Sequence, residues 1–172
     1  MQTNTVLIFF LFLVYSISSF SQDHRAYNMY TSTNIEAGYS YNFGKPNNRN
    51  FHFLSVGINK TTYGGRHGGG FAYGIGTDVG INTKNVTIGP KINAFLYYQF
   101  IVIGSEIVTY TNFKNASIRY IPIIGIGGEK FKLTFNPHIV LANKNFESVN
   151  KGTVQLTVNF SLDRKQRKHT LK

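Results

Sequence analysis

Residues 70–81 read GFAYGIGTDVGI, and this stretch decides the fold class. Large side chains such as Phe71, Tyr73 and Ile75 alternate with glycine, alanine and a single aspartate, Asp78. A period of two residues is that of a β-strand, whose side chains point alternately to the two faces of a sheet. The stretch therefore predicts a strand with one bulky apolar face and one face of small or polar residues.

The same alternation recurs from residue 33 to residue 162, in segments of about ten residues separated by turn-forming clusters. We expect eight strands, at about 33–43, 52–62, 70–81, 86–96, 100–111, 117–127, 130–140 and 152–162. Within the sixth, Pro122 needs a bulge or a locally missing ladder bond. The fold class predicted is all-β: a closed antiparallel up-and-down β-barrel of about eight strands.

The size of the side chains indicates which face lies inside. Eight closed strands leave an interior just wide enough for side chains, so the small and polar face suits the lumen and the bulky face suits the outer wall. Such a wall would face lipid, and the many tyrosines suit interfacial girdles. A soluble exported barrel, with the two faces exchanged and an apolar ligand inside, is the alternative.

The predicted inner face carries both signs of charge. Because buried charges persist only when they are partnered, we hypothesise a charge network in the lumen. Its members are Glu36, Asp78, Lys91, Glu106, Arg119 and Lys132. The alternative is that these residues mark the solvated face of an ordinary sheet.

The N-terminal region predicts export. Residues 6–15 are continuously apolar, and Ser19 and Ser21 follow as the small residues of a cleavage site, so residues 1–21 are expected to be a signal peptide. An uncleaved anchor is the alternative, but the apolar run is shorter than the ~20 residues of a spanning helix. A lead segment (22–32), the barrel (33–162) and a basic tail (163–172) follow.

The chain is strongly basic, with a formal net charge of +11. If the barrel starts on the periplasmic side, one end collects a basic extracellular rim, for which we expect outer-membrane lipid and lipopolysaccharide phosphates as partners. Generic solubility is the alternative. The rim residues are Lys45, Arg49, Lys84, Lys114, Lys144 and Lys151.

Several classes of chemistry find no support in the sequence. The absence of cysteine excludes disulfides and thiolate metal sites, and no histidine pair has metal-ligand spacing. The glycine run 64–70 has no following Lys-Ser/Thr and predicts a flexible turn, not a phosphate loop. We expect no cofactor, no metal, no nucleic-acid partner and no catalysis, although His52 or His138 joining a serine and an acid is an enzymatic alternative.

Four segments give the chain a resemblance to a known family: 19–22 (SFSQ), 88–92 (IGPKI), 119–127 (RYIPIIGIG) and 154–162 (VQLTVNFSL). The chain resembles the small outer-membrane β-barrel proteins of the Bacteroidetes, which share the architecture of OmpX and OmpA-type barrels. The resemblance implies an outer-membrane location and insertion by the barrel-assembly machinery, with Phe160 as the recognised aromatic, although residues 163–172 follow the last strand. We expect a monomer with a plugged lumen that serves envelope structure or surface interaction, with a narrow, porin-like pore as the alternative.

Overall fold

The computed structural model describes residues 29–44, 50–65 and 67–167. The expected signal peptide, most of the lead segment and residues 168–172 of the basic tail lie outside these ranges, as do Lys45 and Arg49. The described residues form strands, turns and loops. Among them no helix is long and apolar enough to cross a membrane.

The described part of the chain forms nine strands. They are β1 (Met29–Phe43), β2 (Phe51–Gly64), β3 (Gly69–Gly80), β4 (Ile88–Tyr98), β5 (Ile101–Thr111), β6 (Ala116–Gly127), β7 (Phe131–Pro137), β8 (Ile139–Ala142) and β9 (Gly152–Arg167). The expected fourth strand begins two residues later than the alternation suggests, because residues 81–87 form the preceding turn.

The strands close into a barrel. Each strand from β1 to β6 pairs antiparallel with its successor, β7 pairs with β6 and β9, and β9 pairs with β1. Strand β8 pairs with the first part of β6 and β7 pairs with its last part, so β7 and β8 together occupy one position in the wall. The predicted closed antiparallel barrel of about eight strands is confirmed, with one extra strand.

The pairing registers between neighbouring strands determine the tilt of the strands relative to the barrel axis. Starting from Thr31 in β1, successive strand partners are Thr62, Phe71, Leu96, Ile103, Ile124, Phe135, Val154 and finally Tyr41, back in β1. One circuit of eight pairings thus returns ten residues further along β1, which is the shear of the barrel. With ordinary strand spacing and rise, this shear gives a tilt of about 40°.

The predicted faces are confirmed along the wall. In β1, Ile35 and Tyr39 point outward and are 41% and 44% exposed, whereas Asn34 and Glu36 point inward and are 0% and 4% exposed. The same alternation continues through β2 to β6. The large apolar side chains therefore lie on the outside of this barrel and its charged strand residues lie mostly within.

The first and last strands are longer than expected. Strand β1 begins at Met29 and β9 continues to Arg167, and these two residues are paired across the sheet after a register shift at Thr33. The lead segment and the basic tail therefore each contribute residues to the barrel. Backbone pairing continues past the end of the apolar alternation because the ladder bonds do not depend on side-chain polarity.

The expected seventh strand, 130–140, is interrupted. The pairing of β6 with β5 runs past Pro122 without a register shift, so there is no bulge on that side. On the other side, Ile121–Ile123 lie between the stretches of β6 that pair with β8 and with β7. Because proline has no backbone N–H, Pro122 cannot donate a ladder bond to the strand on that side, and Pro137 cannot continue β7. The ladder between β6 and the strands β7 and β8 is therefore interrupted at Ile121–Ile123.

The two ends of the barrel differ in their connections. At one end, here called the loop end, the connections are residues 44–50, 81–87, 112–115 and 143–151. At the other, the turn end, they are segments 65–68, 99–100 and 128–130, none longer than four residues. The four described positions of the expected basic rim, Lys84, Lys114, Lys144 and Lys151, fall in connections of the loop end.

Candidate functional site

A buried ion cluster lies in the half of the lumen nearer the loop end. Lys91 of β4 places its Nζ 2.7 Å from Oδ1 of Asp78 and 3.2 Å from Oε2 of Glu106. These residues come from three adjacent strands, β3 to β5, so the register alone brings them together. Asp78 also accepts hydrogen bonds from the hydroxyls of Ser55 and Tyr110.

A second ion pair lies nearer the turn end. Lys132 of β7 places its Nζ 2.7 Å from Oε2 of Glu36 in β1, and Asn59 donates to the same carboxylate oxygen. The ammonium of Lys132 also lies 3.9 Å from the centre of the Phe95 ring, within the range of a cation–π contact. The structure thus brings five of the six hypothesised network residues into two groups of ion pairs.

Arg119, the sixth residue, makes a different set of contacts. Its Nη1 donates to the carbonyl oxygen of Asn150 and lies 3.1 Å from Nδ1 of His138, and its Nη2 donates to the carbonyl oxygen of Val149 at 2.9 Å. Within the described residues it forms no ion pair with a carboxylate. Arg119 therefore anchors the backbone of the loop that contains Val149 and Asn150. Alternation along a strand predicts that Arg119 points inward, but it cannot predict this contact.

That loop closes the loop end of the lumen, and we call residues 143–151 the cap loop. Phe146 and Val149 are 4% and 1% exposed, so their side chains are buried against the barrel. Asn42 of β1 holds the cap loop from the opposite side, because its Oδ1 accepts from the backbone N–H of Asn150 at 2.8 Å and its carbonyl oxygen accepts from Nδ2 of Asn150.

Glu129 supplies a further buried charge that the sequence analysis missed. It lies in the 128–130 turn and is 5% exposed. Its Oε1 accepts from the hydroxyl of Ser32 at 2.6 Å, and its Oε2 lies 3.6 Å from Nη2 of Arg164. The turn interrupts the alternation that located the other inner charges, so no local pattern indicated that Glu129 points inward.

The expectation that the lumen holds small side chains is wrong for several aromatic residues. Phe53, Phe95, Tyr97 and Tyr110 are all buried inside the barrel. Three inward aromatic residues each pair with a glycine on the neighbouring strand: Phe53 with Gly80, Tyr63 with Gly70 and Phe95 with Gly104.

The glycines are what make room for these rings. A Cβ atom at Gly104 would lie 2.7 Å from the Phe95 ring, and one at Gly89 would lie 2.7 Å from the ring of Tyr110. The pairing of an inward aromatic with a glycine opposite is therefore the sequence signal that would have located these residues, but it can be recognised only when the register is known.

Four of the rim residues are described. Lys84, Lys114, Lys144 and Lys151 are exposed in three different connections of the loop end. Glu147, also exposed, lies in the cap loop with two of them. These four lysines thus lie at the loop end of the barrel; Lys45 and Arg49 lie outside the described residues.

The two histidines weighed for catalysis have other surroundings. His52 points to the outer wall, where its Nδ1 bonds the hydroxyl of Tyr39. His138 is inside, with Nε2 3.4 Å from the hydroxyl of Thr153 and Nδ1 facing Arg119. No cluster of three or more histidine, aspartate or glutamate side chains arranged to hold a metal ion occurs in the described ranges.

Comparison with known proteins gives no relative: no protein family, no curated protein and no solved structure matches this chain. The function of this protein can therefore be inferred only from the barrel and its side chains.

Proposed function

We propose that this protein is a non-catalytic barrel of a bacterial outer membrane, with a lumen closed by its own side chains and a basic extracellular rim that contacts the cell surface. The observation that carries the proposal is the outer wall. Every strand from β1 to β9 exposes large apolar side chains, among them Ile75 at 65% and Leu96 at 60%. Soluble monomers rarely expose contiguous apolar patches larger than a few hundred Å².

The height of the wall supports the same proposal. Strands β4 and β5 each have 11 residues, and β3 and β6 have 12. At a rise of about 3.3 Å per residue and a tilt of about 40°, 11 residues span roughly 28 Å along the barrel axis. Outer-membrane barrels carry an apolar band about 25 Å tall, so these strands are long enough to cross it.

The distribution of charge and aromatic rings on the wall fits a membrane. Among strand side chains that the structure describes, exposed charges are confined to Lys60 and to residues 163–165, all toward the turn end. Most exposed aromatic residues lie toward one end of the wall or the other, as interfacial girdles do, whereas Tyr73 and Phe135 lie nearer mid-height. Those toward the turn end are Phe71, Tyr98, Phe100, Phe131 and Phe160, and those toward the loop end are Tyr39, Tyr41 and Tyr120.

The connections supply an orientation. Bacterial outer-membrane barrels have short periplasmic turns and longer extracellular loops. By this rule the loop end, with the exposed lysines and the cap loop, faces outward from the cell, and the turn end faces the periplasm.

A sealed lumen is favoured over a pore and over an apolar-ligand site. The two groups of ion pairs, the inward aromatic rings and the cap loop occupy the interior, and a ligand-binding barrel would instead offer an apolar cavity. A water-filled pore would need a continuous path past these groups. Single-channel recordings in planar bilayers test this point: we expect no conductance, and steady ion-selective currents would favour the pore.

Fractionation of native cells tests the location. We expect the protein in the outer membrane, with faster gel migration of the unboiled detergent extract than of the boiled one, as a closed barrel resists the detergent. Recovery as a soluble periplasmic or secreted protein would refute the lipid-facing wall and favour the apolar-ligand alternative.

The basic rim has its own test. Lysines near an anionic surface each contribute about 1 kcal/mol of binding free energy. Reversing the charge at Lys84, Lys114, Lys144 and Lys151 is therefore expected to weaken cosedimentation with lipopolysaccharide vesicles strongly, whereas reversal of the turn-end Lys165 should have little effect. Unchanged lipopolysaccharide binding and unchanged membrane integrity in the fourfold variant would mean that the rim serves solubility only.

A further inference from the structure

A cavity opens at the loop end, between the connections of the barrel. Its volume is about 750 Å³, which lies within the range of roughly 300–1,000 Å³ found for small-ligand sites. Five asparagines from three connections line it: Asn85, Asn112, Asn115, Asn143 and Asn145. The ion pairs and Arg119, described above, lie in the barrel and do not line this cavity.

The amide groups around the cavity are largely uncommitted. Within the described residues, the side chains of Asn85, Asn115 and Asn145 make no hydrogen bond and are exposed. The Oδ1 of Asn112 accepts hydrogen bonds within its own turn, so its Nδ2 donors stay available. The Nδ2 of Asn143 donates to the carbonyl oxygen of Ala116, so its Oδ1 acceptor stays available. The cavity therefore offers several donors and acceptors close together without a formal charge.

The remaining lining groups complete the chemistry. Phe51 and Phe146 also border the cavity, but at 7% and 4% exposure they contribute little apolar surface to it. Lys84 and Glu147 contribute one positive and one negative charge, which balance each other. Among the lining residues, a phosphate or sulfate group would meet one cation and one carboxylate, so the lining itself shows no preference for an anion.

We propose that this asparagine-lined cavity binds a neutral carbohydrate. Each sugar hydroxyl is both donor and acceptor, and adjacent hydroxyls match the paired donor and acceptor of an amide group. The inference deepens the proposed surface interaction, and it depends on the proposed function only for the exposure of the loop end outside the cell.

Binding of neutral oligosaccharides to the purified protein tests the proposal. The full-length mature barrel is refolded in an amine-oxide detergent, since a maltoside detergent would itself present a sugar to the cavity. It is applied to an array of neutral, sulfated and phosphorylated oligosaccharides, and the strongest neutral probe is then titrated by calorimetry. We expect saturable binding of at least one neutral oligosaccharide that persists in 0.5 M salt.

Two variants make the result specific. The double variant Asn85→Ala with Asn145→Ala is expected to weaken the association constant at least tenfold while leaving the heat-modifiable gel migration intact. Lys165→Ala, which removes an exposed side chain at the opposite end, should bind as the unmodified protein does.

Two results would overturn the proposal. The first is that no neutral oligosaccharide binds at millimolar concentration. The second is that binding is restricted to anionic probes, disappears in 0.5 M salt and is unaffected by the asparagine variant; this would leave the basic rim as the surface that interacts. Neither result bears on the membrane location, which fractionation decides separately.

Discussion

Substitution of Lys91 by methionine probes the polar interior most directly. The side chain of Lys91 is almost wholly buried and lies between the carboxylates of Asp78 and Glu106. Methionine preserves much of the volume but removes the positive charge, which leaves two buried carboxylates close together without their shared partner. Removing one member of a buried ion pair costs about 3–5 kcal/mol of unfolding free energy. We expect a loss in that range at pH 8.

Urea unfolding of the refolded barrel in detergent micelles, followed by circular dichroism, measures this loss as a change in unfolding free energy. Lys84→Met provides the matched control, because Lys84 is exposed in a loop and its loss should change that free energy by less than about 0.5 kcal/mol.

A second variant tests the same idea if Lys91→Met alone does not fold. Combining Lys91→Met with Asp78→Asn and Glu106→Gln removes the stranded charges, and replacing a complete buried ion group by neutral residues is often tolerated. At least half of the lost stability should return. A Lys91→Met barrel within 1 kcal/mol of the unmodified protein at pH 8, or a triple variant no more stable than the single one, would refute the reasoning.

Three further substitutions test the wall, the cap loop and the packing of the lumen. Ile75→Lys should cost about 2–4 kcal/mol of unfolding free energy in lipid vesicles, as lysine does at a bilayer midplane, whereas a cost near zero would mean that the wall faces water. Arg119→Ala removes charge-assisted hydrogen bonds to the cap loop that are worth about 1.5–3 kcal/mol each, so the loop should open more often. Trypsin should then cleave the cap loop at least about tenfold faster. An unchanged cleavage rate would show that Arg119 does not hold the loop. Gly57→Ala would place a Cβ atom 2.7 Å from the backbone oxygen of Ile75. The midpoint of urea unfolding should therefore fall by an amount equivalent to about 1–3 kcal/mol of unfolding free energy. Gly69→Ala is the control, because the nearest atom to its Cβ would be 3.7 Å away, and it should be close to neutral.

Alternation made the barrel predictable from the sequence. Whether a residue points in or out depends only on its parity along a strand, so Glu36, Lys91 and Arg119 could each be assigned to the lumen without knowledge of any partner. The number of strands and their antiparallel order followed from the turn clusters between them, because short connections force neighbouring strands to pair.

The partners of those residues depended on tertiary structure. The shear of ten determines which residues lie level with one another across the lumen, and no local pattern contains it. It brings Lys132 of β7 to Glu36 of β1, and it leaves Arg119 beside the cap loop and away from the acids.

The sequence by itself therefore determined the approximate positions of the strands, their two faces and six of the charged residues of the interior, since each of these follows from a period of two. The tertiary structure alone decided how the ion pairs are grouped and that Glu129 is buried. It also decided that inward aromatic rings lie opposite glycines and that five asparagines line one cavity. The physical reason is that these features are set by the closure of the sheet and by the packing of loops from distant parts of the chain, and neither is encoded in the spacing of neighbouring residues.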